Sequence, residues 1–134
     1  MVRRGSGRIL NVASTAAFVP GPLMAMYYAS KSFVLSFSHA IANELKGTGI
    51  SVTVLCPGPT QTGFAGAAGI SDRRLFRGHV MSATDVARAG YAAMMAAKAE
   101  LIVGRRNRWM IFGTRFAPRT LLANLARRLN SSVQ

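Results

Sequence analysis

The sequence predicts an α/β fold built on a parallel sheet. Short apolar segments of strand length alternate with longer segments of helical character, in the order strand, helix, strand, helix, strand. This alternation implies right-handed crossover connections between strands that run in the same direction. The chain has 134 residues, of which 50% are hydrophobic, so we expect one globular unit with its own core.

The first predicted strand covers residues 8–13 and follows a glycine turn. Residues 14–23 form a predicted loop, because a Pro-Gly-Pro segment near its end interrupts any regular element. Ser14 opens this loop, so it is expected at the carboxyl end of the strand. Open α/β sheets bind their ligands at that edge.

A helix is predicted over residues 24–46, because a Gly-Thr-Gly segment typical of a helix end follows it. The second strand is predicted over residues 51–55 and ends before the Pro-Gly-Pro segment that starts at Pro57. Residues 63–69 are mostly small and are predicted to be flexible.

The last part of the chain is predicted to contain one more helix, one more strand and a tail. Ser82-Ala83-Thr84-Asp85 resembles a capping box and predicts a helix that reaches about Lys98. The third strand is predicted over residues 100–103. We therefore divide the chain into an α/β region, residues 1–104, and a basic amphipathic helical tail, residues 105–134.

Tyr27 and Lys31 lie four residues apart in the first predicted helix, and Tyr27 follows Ser14 by thirteen residues. Residues at a spacing of four share one helix face, so the phenol and the ammonium can meet. A phenol titrates near pH 10 in water, and a neighbouring ammonium favours its deprotonated form. The pair therefore indicates proton transfer by Tyr27. The alternative is an ordinary packed tyrosine, of which the adjacent Tyr28 is an example.

Three motifs in register resemble the short-chain dehydrogenase/reductase family. They are Asn11-Val12-Ala13-Ser14, then Tyr27-x-x-x-Lys31, then Pro57-Gly58-Pro59-Thr60-Gln61-Thr62. A Tyr-x-x-x-Lys pair alone occurs by chance in many helices, whereas three motifs that each follow the expected element form a specific pattern. The resemblance is close over residues 7–100 and loose beyond.

The resemblance implies an oxidoreductase that transfers a hydride between NAD or NADP and a small carbonyl or alcohol substrate. Ser14 would bond the substrate oxygen, Tyr27 would donate or accept the proton, and Lys31 would favour the phenolate and bond the nicotinamide ribose. Residues 63–69 would belong to a substrate lid. The implied cofactor-binding residues are Tyr27, Lys31, Pro57, Gly58, Thr60 and Thr62.

Each of these residues also has a structural interpretation. Ser14 could cap the turn after the strand, Pro57 and Gly58 could end the second strand, and Thr62 could be solvated. In the functional interpretation, the bare backbone at Gly58 lets the flat nicotinamide ring approach. Thr60 stands where the family often has Val or Ile, so its contact with the cofactor would be through its backbone.

The sequence contains no glycine-rich turn between a strand and a helix, the feature that holds a dinucleotide pyrophosphate. By resemblance, that loop and the family's catalytic asparagine would precede Met1. The expected fold is thus the carboxyl-terminal part of a Rossmann-like doubly wound parallel sheet without its dinucleotide-binding half. We expect weak or no cofactor binding by the chain alone, and no turnover. An open edge at the first strand would favour homo-oligomers or aggregation.

The single cysteine excludes an internal disulfide and fits a reducing, cytoplasmic setting. We interpret Cys56 as a small buried residue, because a catalytic thiol would need a histidine partner. His39 and His79 lie in no recognisable motif, and two histidines without acidic ligands nearby make a poor metal site. No metal is therefore predicted.

The net charge of +13 comes from 17 basic and 4 acidic residues, and no acidic residue follows Glu100. The simplest explanation is an arginine-rich proteome, together with an expected upstream half whose charge does not enter this count. The functional alternative is a peripheral contact between the tail and an anionic membrane. No motif accompanies the charge to indicate nucleic acid. Leu121, Leu122, Leu125 and Leu129 predict an apolar stripe on a helix after Pro118. A non-catalytic fragment, structural or at a membrane surface, is therefore the alternative to an enzyme.

Overall fold

The computed structural model describes residues 1–70, 72–78 and 80–132. It contains short strands and helices that alternate along most of the chain, followed by two consecutive helices. In chain order the elements are β1 (Gly7–Val12), α1 (Ala25–Glu44), β2 (Ile50–Cys56), β3 (Thr60–Gln61), α2 (Phe64–Ala67), β4 (Met81–Ser82), α3 (Ala83–Met95), β5 (Glu100–Ile102), α4 (Arg105–Thr114) and α5 (Arg119–Asn130).

The main sheet has three parallel strands in the order β1-β2-β5. Val12 pairs with Leu55, and Cys56 pairs with Ile102, so the carboxyl ends of the strands lie together at one edge. The prediction of a parallel α/β sheet is confirmed. Among the described residues, β2 is the only strand that pairs with β1, so β1 forms one edge of this sheet. The very short β3 and β4 pair separately, also in parallel.

Helices cover both faces of the sheet. Alternate residues of β2 point to opposite sides and therefore pack against different helices. On the α1 side, Val54 and Cys56 are buried with Ala13. On the α3 side, Leu55 packs with Val86. A Cβ on Gly90 of α3 would lie 2.7 Å from Leu55 Cδ2, so this glycine lets α3 approach the sheet closely. The arrangement is that of a doubly wound sheet.

The predicted elements agree with the structure to within one to three residues at their ends, where helices fray. The small-residue segment 63–69 contains the helical turn α2, Phe64–Ala67. One local expectation is wrong. Ser82 precedes α3, but its side chain makes no capping hydrogen bond. Its backbone instead pairs with Gln61 in the small sheet, so the capping box does not form.

The tail contains two helices that meet at Pro118, and α5 begins where the proline predicts it. The predicted leucine stripe is not its packed face: Leu121, Leu125 and Leu129 are 47–49% exposed. Ala126 and Asn130 are buried instead. Spacing shows that residues share a face, whereas the neighbours decide which face packs. In the part of the chain described here, no helix is both long and apolar enough to cross a bilayer.

Candidate active site

A cavity of about 680 Å³ opens at the carboxyl ends of β1 and β2. The first turn of α1 and the loops after both strands form much of its wall. The structure brings every predicted site residue to this cavity. These residues are Ser14, Tyr27, Lys31, Pro57, Gly58, Thr60 and Thr62.

Ser14 is buried at the point where β1 ends. Its Oγ accepts a hydrogen bond from the Ala16 backbone N–H at 3.1 Å and thereby caps a 3₁₀ turn over Thr15–Phe18. The hydroxyl also donates to the carbonyl oxygen of Pro57 over a long 3.5 Å. The structural interpretation of Ser14 as a cap is therefore correct. The hydroxyl nonetheless lines the cavity, held between the ends of two strands.

Tyr27 and Lys31 lie on one face of α1, as their spacing predicts. Lys31 Nζ is 5.8 Å from the centre of the Tyr27 ring. The same ammonium donates a 3.0 Å hydrogen bond to the carbonyl oxygen of Val12, the last residue of β1. Lys31 therefore links α1 to the strand that leads into Ser14, and it carries a positive charge beside the phenol.

Tyr28, next to Tyr27, connects the site to the end of the chain. Its ring is buried and meets the Tyr27 ring edge-on, with 6.0 Å between centroids. Its hydroxyl donates to Oδ1 of Asn130, whose Nδ2 donates to the carbonyl oxygen of Pro22 at 3.0 Å. The guanidinium of Arg73 donates to the Asn130 carbonyl oxygen. Burial raises the pKa of Tyr28, against a smaller lowering by Asn130.

Sequence reasoning missed Asn130 as a supporting residue of the site. Asn130 is fully buried at the end of α5, where it joins Tyr28 of α1, the loop before α1 and the segment near Arg73. Its only signal is its position four residues after Ala126 on the packed face of the helix. A polar residue there must find buried partners, but the sequence does not say which.

The Pro57-Gly58 turn contacts α4 as well as the cavity. A Cβ on Gly58 would lie 2.6 Å from Nδ2 of Asn107, so a larger residue here would force the Asn107 side chain of α4 to shift. Thr60 Oγ1 donates to the Gly58 carbonyl oxygen at 2.9 Å and fixes the turn. Thr62 is exposed at the cavity.

Apolar side chains form most of the remaining wall. They include Met24, Ile70, Leu75 and Phe76. Among the described residues that line the cavity, Lys31 carries the only charge. The chemistry available is therefore that of hydroxyls, phenols and one ammonium in mostly apolar surroundings, where electrostatic interactions are stronger than in water.

Cys56 and His39 lie outside this chemistry. Cys56 is completely buried, and burial, with a smaller contribution from the Glu100 carboxylate, raises its pKa to about 12. It is the inert buried thiol that the sequence predicts. His39 Nε2 lies 2.9 Å from Oε2 of Glu100, so the expectation that no acidic group is near is wrong for this histidine. His79 is outside the described residues, and no three potential metal ligands cluster among those described.

Comparison with known proteins gives a consistent result. The sequence profile described as short chain dehydrogenase matches residues 1–71. Ketoacyl reductase HetN of Nostoc sp. is 35% identical over 106 residues, which cover 78% of this chain and 36% of that protein.

Two solved structures have the same fold. A short-chain dehydrogenase from Sphingobium yanoikuyae in complex with NADPH superposes with a TM-score of 0.67 at 29% identity, over 86% of this chain and 45% of that one. A short-chain dehydrogenase from Burkholderia cenocepacia in complex with NADP gives a TM-score of 0.73 at 25% identity, over 93% and 49%. This chain thus spans less than half the length of each of these three proteins.

Proposed function

This chain belongs to the short-chain dehydrogenase family, and we propose that it carries the acid–base site of an NAD(P)-dependent oxidoreductase acting on a small carbonyl or alcohol. One observation carries the proposal. Ser14, Tyr27 and Lys31, from two different elements, line a single cavity at the carboxyl edge of a parallel sheet. That edge is where ligands bind in open α/β sheets.

Tyr27 is the proposed proton donor in carbonyl reduction and the acceptor in alcohol oxidation. Lys31 Nζ, 5.8 Å from the centre of its ring, would place a positive charge near the phenol from which the proton leaves. Because Lys31 is also bonded to Val12, its charge is held in place before substrate arrives.

Ser14 is the proposed partner of the substrate oxygen. Its 3.5 Å contact with Pro57 is too long to be a strong hydrogen bond, so the hydroxyl proton can turn to a substrate at little cost. The cap bond from Ala16 keeps the oxygen in position during that turn. A hydrogen bond from Ser14 stabilises the negative charge that develops on the substrate oxygen.

The cavity suits the nicotinamide end of NAD or NADP. Its wall is mostly apolar and includes one ammonium and three threonines, which suits a flat ring attached to a ribose. Lys31 would hold the ribose, and Pro57, Gly58, Thr60 and Thr62 would hold the ring and its carboxamide. When bound, the cofactor supplies the hydride chemistry. The sequence contains no glycine-rich turn for the pyrophosphate, so we expect weak binding and little or no turnover by these 134 residues alone.

A chimera tests the proposal. The part of the Sphingobium protein that precedes the aligned region would be joined to this chain at Gly7, where β1 begins. NADPH oxidation would then be followed with a panel of ketones. We expect turnover by the chimera, and little or none by the 134-residue chain under the same conditions.

Ser14→Ala in the chimera tests the role of the hydroxyl. The matched control is Thr84→Ala, because Thr84 is exposed and lies outside the cavity lining. Loss of turnover in the Ser14 variant alone supports the site. A folded chimera that binds NADPH but reduces no ketone would favour the alternative, a non-catalytic structural or membrane-surface role.

A further inference from the structure

Helix α4 and the turn that follows it present three aromatic side chains to solvent. Trp109, Phe112 and Phe116 are 71%, 49% and 77% exposed. They follow one another at spacings of three and four residues, so they share one face. Their rings touch edge to face, with centroids 6.1 Å and 5.4 Å apart. We call these three residues the α4 aromatic face.

The opposite side of α4 is the packed one. Ile111 is 4% exposed, and Asn107 donates to the carbonyl oxygen of Val103 at 2.7 Å. One side of α4 therefore packs against the rest of the domain, and the aromatic face remains exposed to solvent. Three adjacent exposed aromatic rings form a contiguous apolar patch, which on a folded protein marks a contact surface.

Arginines surround the α4 aromatic face. Arg105, Arg106, Arg108 and Arg115 are all exposed on the same helix or its last turn. No acidic residue follows Glu100 in the sequence. Glu100 itself lies in the groove beside α4 and is bonded to His39. The partner of this surface must therefore accept aromatic side chains and carry negative charge.

A second copy of this chain does not meet that requirement. In a two-fold contact the same surface would face itself and bring arginines opposite arginines. A different surface of the second copy offers little more, because the whole chain has 4 acidic and 17 basic residues. An anionic phospholipid surface meets both conditions, since tryptophan and phenylalanine enter the headgroup region while arginines bind the lipid phosphates.

We propose that the α4 aromatic face is a docking surface for anionic phospholipid membranes. The proposal is independent of catalysis, although the two sites are close. Asn107, on the packed side of α4, contacts Gly58, which lines the cavity. The membrane contact and the cavity are therefore separated by about one helix diameter, roughly 10 Å.

Trp109 is the only tryptophan of the chain, so its fluorescence reports on this face alone. The full 134-residue chain would be mixed with phosphatidylcholine vesicles that contain or lack phosphatidylserine. With phosphatidylserine we expect a blue-shifted emission and quenching by brominated acyl chains. Both signals should weaken at high salt, because exposed charges are screened. Phosphatidylcholine alone should change the emission little.

Paired variants separate the aromatic and charge contributions. Phe116→Ala should weaken partitioning, whereas Phe33→Ala, at a similarly exposed phenylalanine on α1, should not. Arg105→Gln with Arg108→Gln should weaken partitioning by about fivefold per arginine. Arg3→Gln with Arg4→Gln, in the exposed turn before β1, is the control for charge elsewhere.

Three outcomes would overturn the proposal. The first is vesicle binding without a change at Trp109, and the second is equal loss in the control variants. The third is a blue shift that depends on protein concentration without lipid, which would indicate self-association. Single-stranded DNA that binds with the same Trp109 response and displaces the vesicles would also reassign the surface, to nucleic acid.

Discussion

The Tyr28 hydroxyl lies 3.0 Å from Oδ1 of Asn130, 102 residues further along the chain. Both residues are buried, and Asn130 uses its amide nitrogen to bond Pro22 in the loop that leads into α1. The end of the last described helix thus holds the helix that carries Tyr27 and Lys31. We infer that α5 supports the site even though none of its residues lines the cavity.

Asn130→Leu should lower the free energy of unfolding by about 2–4 kcal/mol, because it leaves the Tyr28 hydroxyl and the Pro22 carbonyl buried without this partner. Urea unfolding measures the change. Asn124→Leu, at an exposed asparagine of the same helix, is the matched control and should change stability little. Equal effects in the two variants would show that the hydrogen bonds of Asn130 do not contribute measurably to the free energy of unfolding.

Gly21→Ala should displace the ring of Tyr28. A Cβ at this position would lie 2.0 Å from Cγ of that ring, which is far inside van der Waals contact. We expect a loss of about 1–3 kcal/mol in the free energy of unfolding, typical of an overpacked core. Gly63→Ala, where no atom lies within 4 Å of the added Cβ, is the control. If Gly21→Ala left the free energy of unfolding unchanged, the Tyr28 ring would be able to move aside without an energetic cost.

Cys56 should make the protein less stable in alkali. Its pKa is raised to about 12 by burial, whereas the ordinary value is 9.0. Between these values the unfolded chain has released the thiol proton and the folded chain retains it. The free energy of unfolding therefore falls as pH rises, by about 1.4 kcal/mol per pH unit. Below pH 9 the thiol has no effect on the pH dependence.

Urea unfolding of the wild type and Cys56→Ala, from about pH 8 to about pH 11, isolates this contribution. The difference between the two curves should be flat at the acidic end and should then slope in favour of the variant. Parallel curves across the whole range would contradict the raised pKa.

The edge of β1 should promote association of the 134-residue chain. Among the described residues β2 is the only strand that pairs with β1, and a strand edge without a partner strand can pair with another chain. We expect sedimentation velocity to give oligomers or aggregates that increase with protein concentration. A monodisperse monomer with one cooperative melting transition would show that the edge is well tolerated.

Local spacing predicted the centre of the site, and long-range packing did not follow from it. The meeting of Tyr27 with Lys31 depends only on helix geometry, and the place of Ser14 only on where a strand ends. The bond between Tyr28 and Asn130 depends on how the last helix returns to the first. The sequence alone does not fix that docking, and for the same reason it does not show which face of α5 packs against the domain.

The role of Tyr27 as the proton donor is tested most directly by Tyr27→Phe in the chimera of the Sphingobium protein and this chain. The control is Tyr91→Phe, an exposed tyrosine that lines the same cavity. NADPH-dependent ketone reduction is measured for both, with cofactor binding as a check on folding. If Tyr27 transfers the proton, we expect a loss of roughly 100- to 10,000-fold in kcat/KM for Tyr27→Phe and little change for Tyr91→Phe. Equal rates for the two variants would contradict the role of Tyr27 as the proton donor.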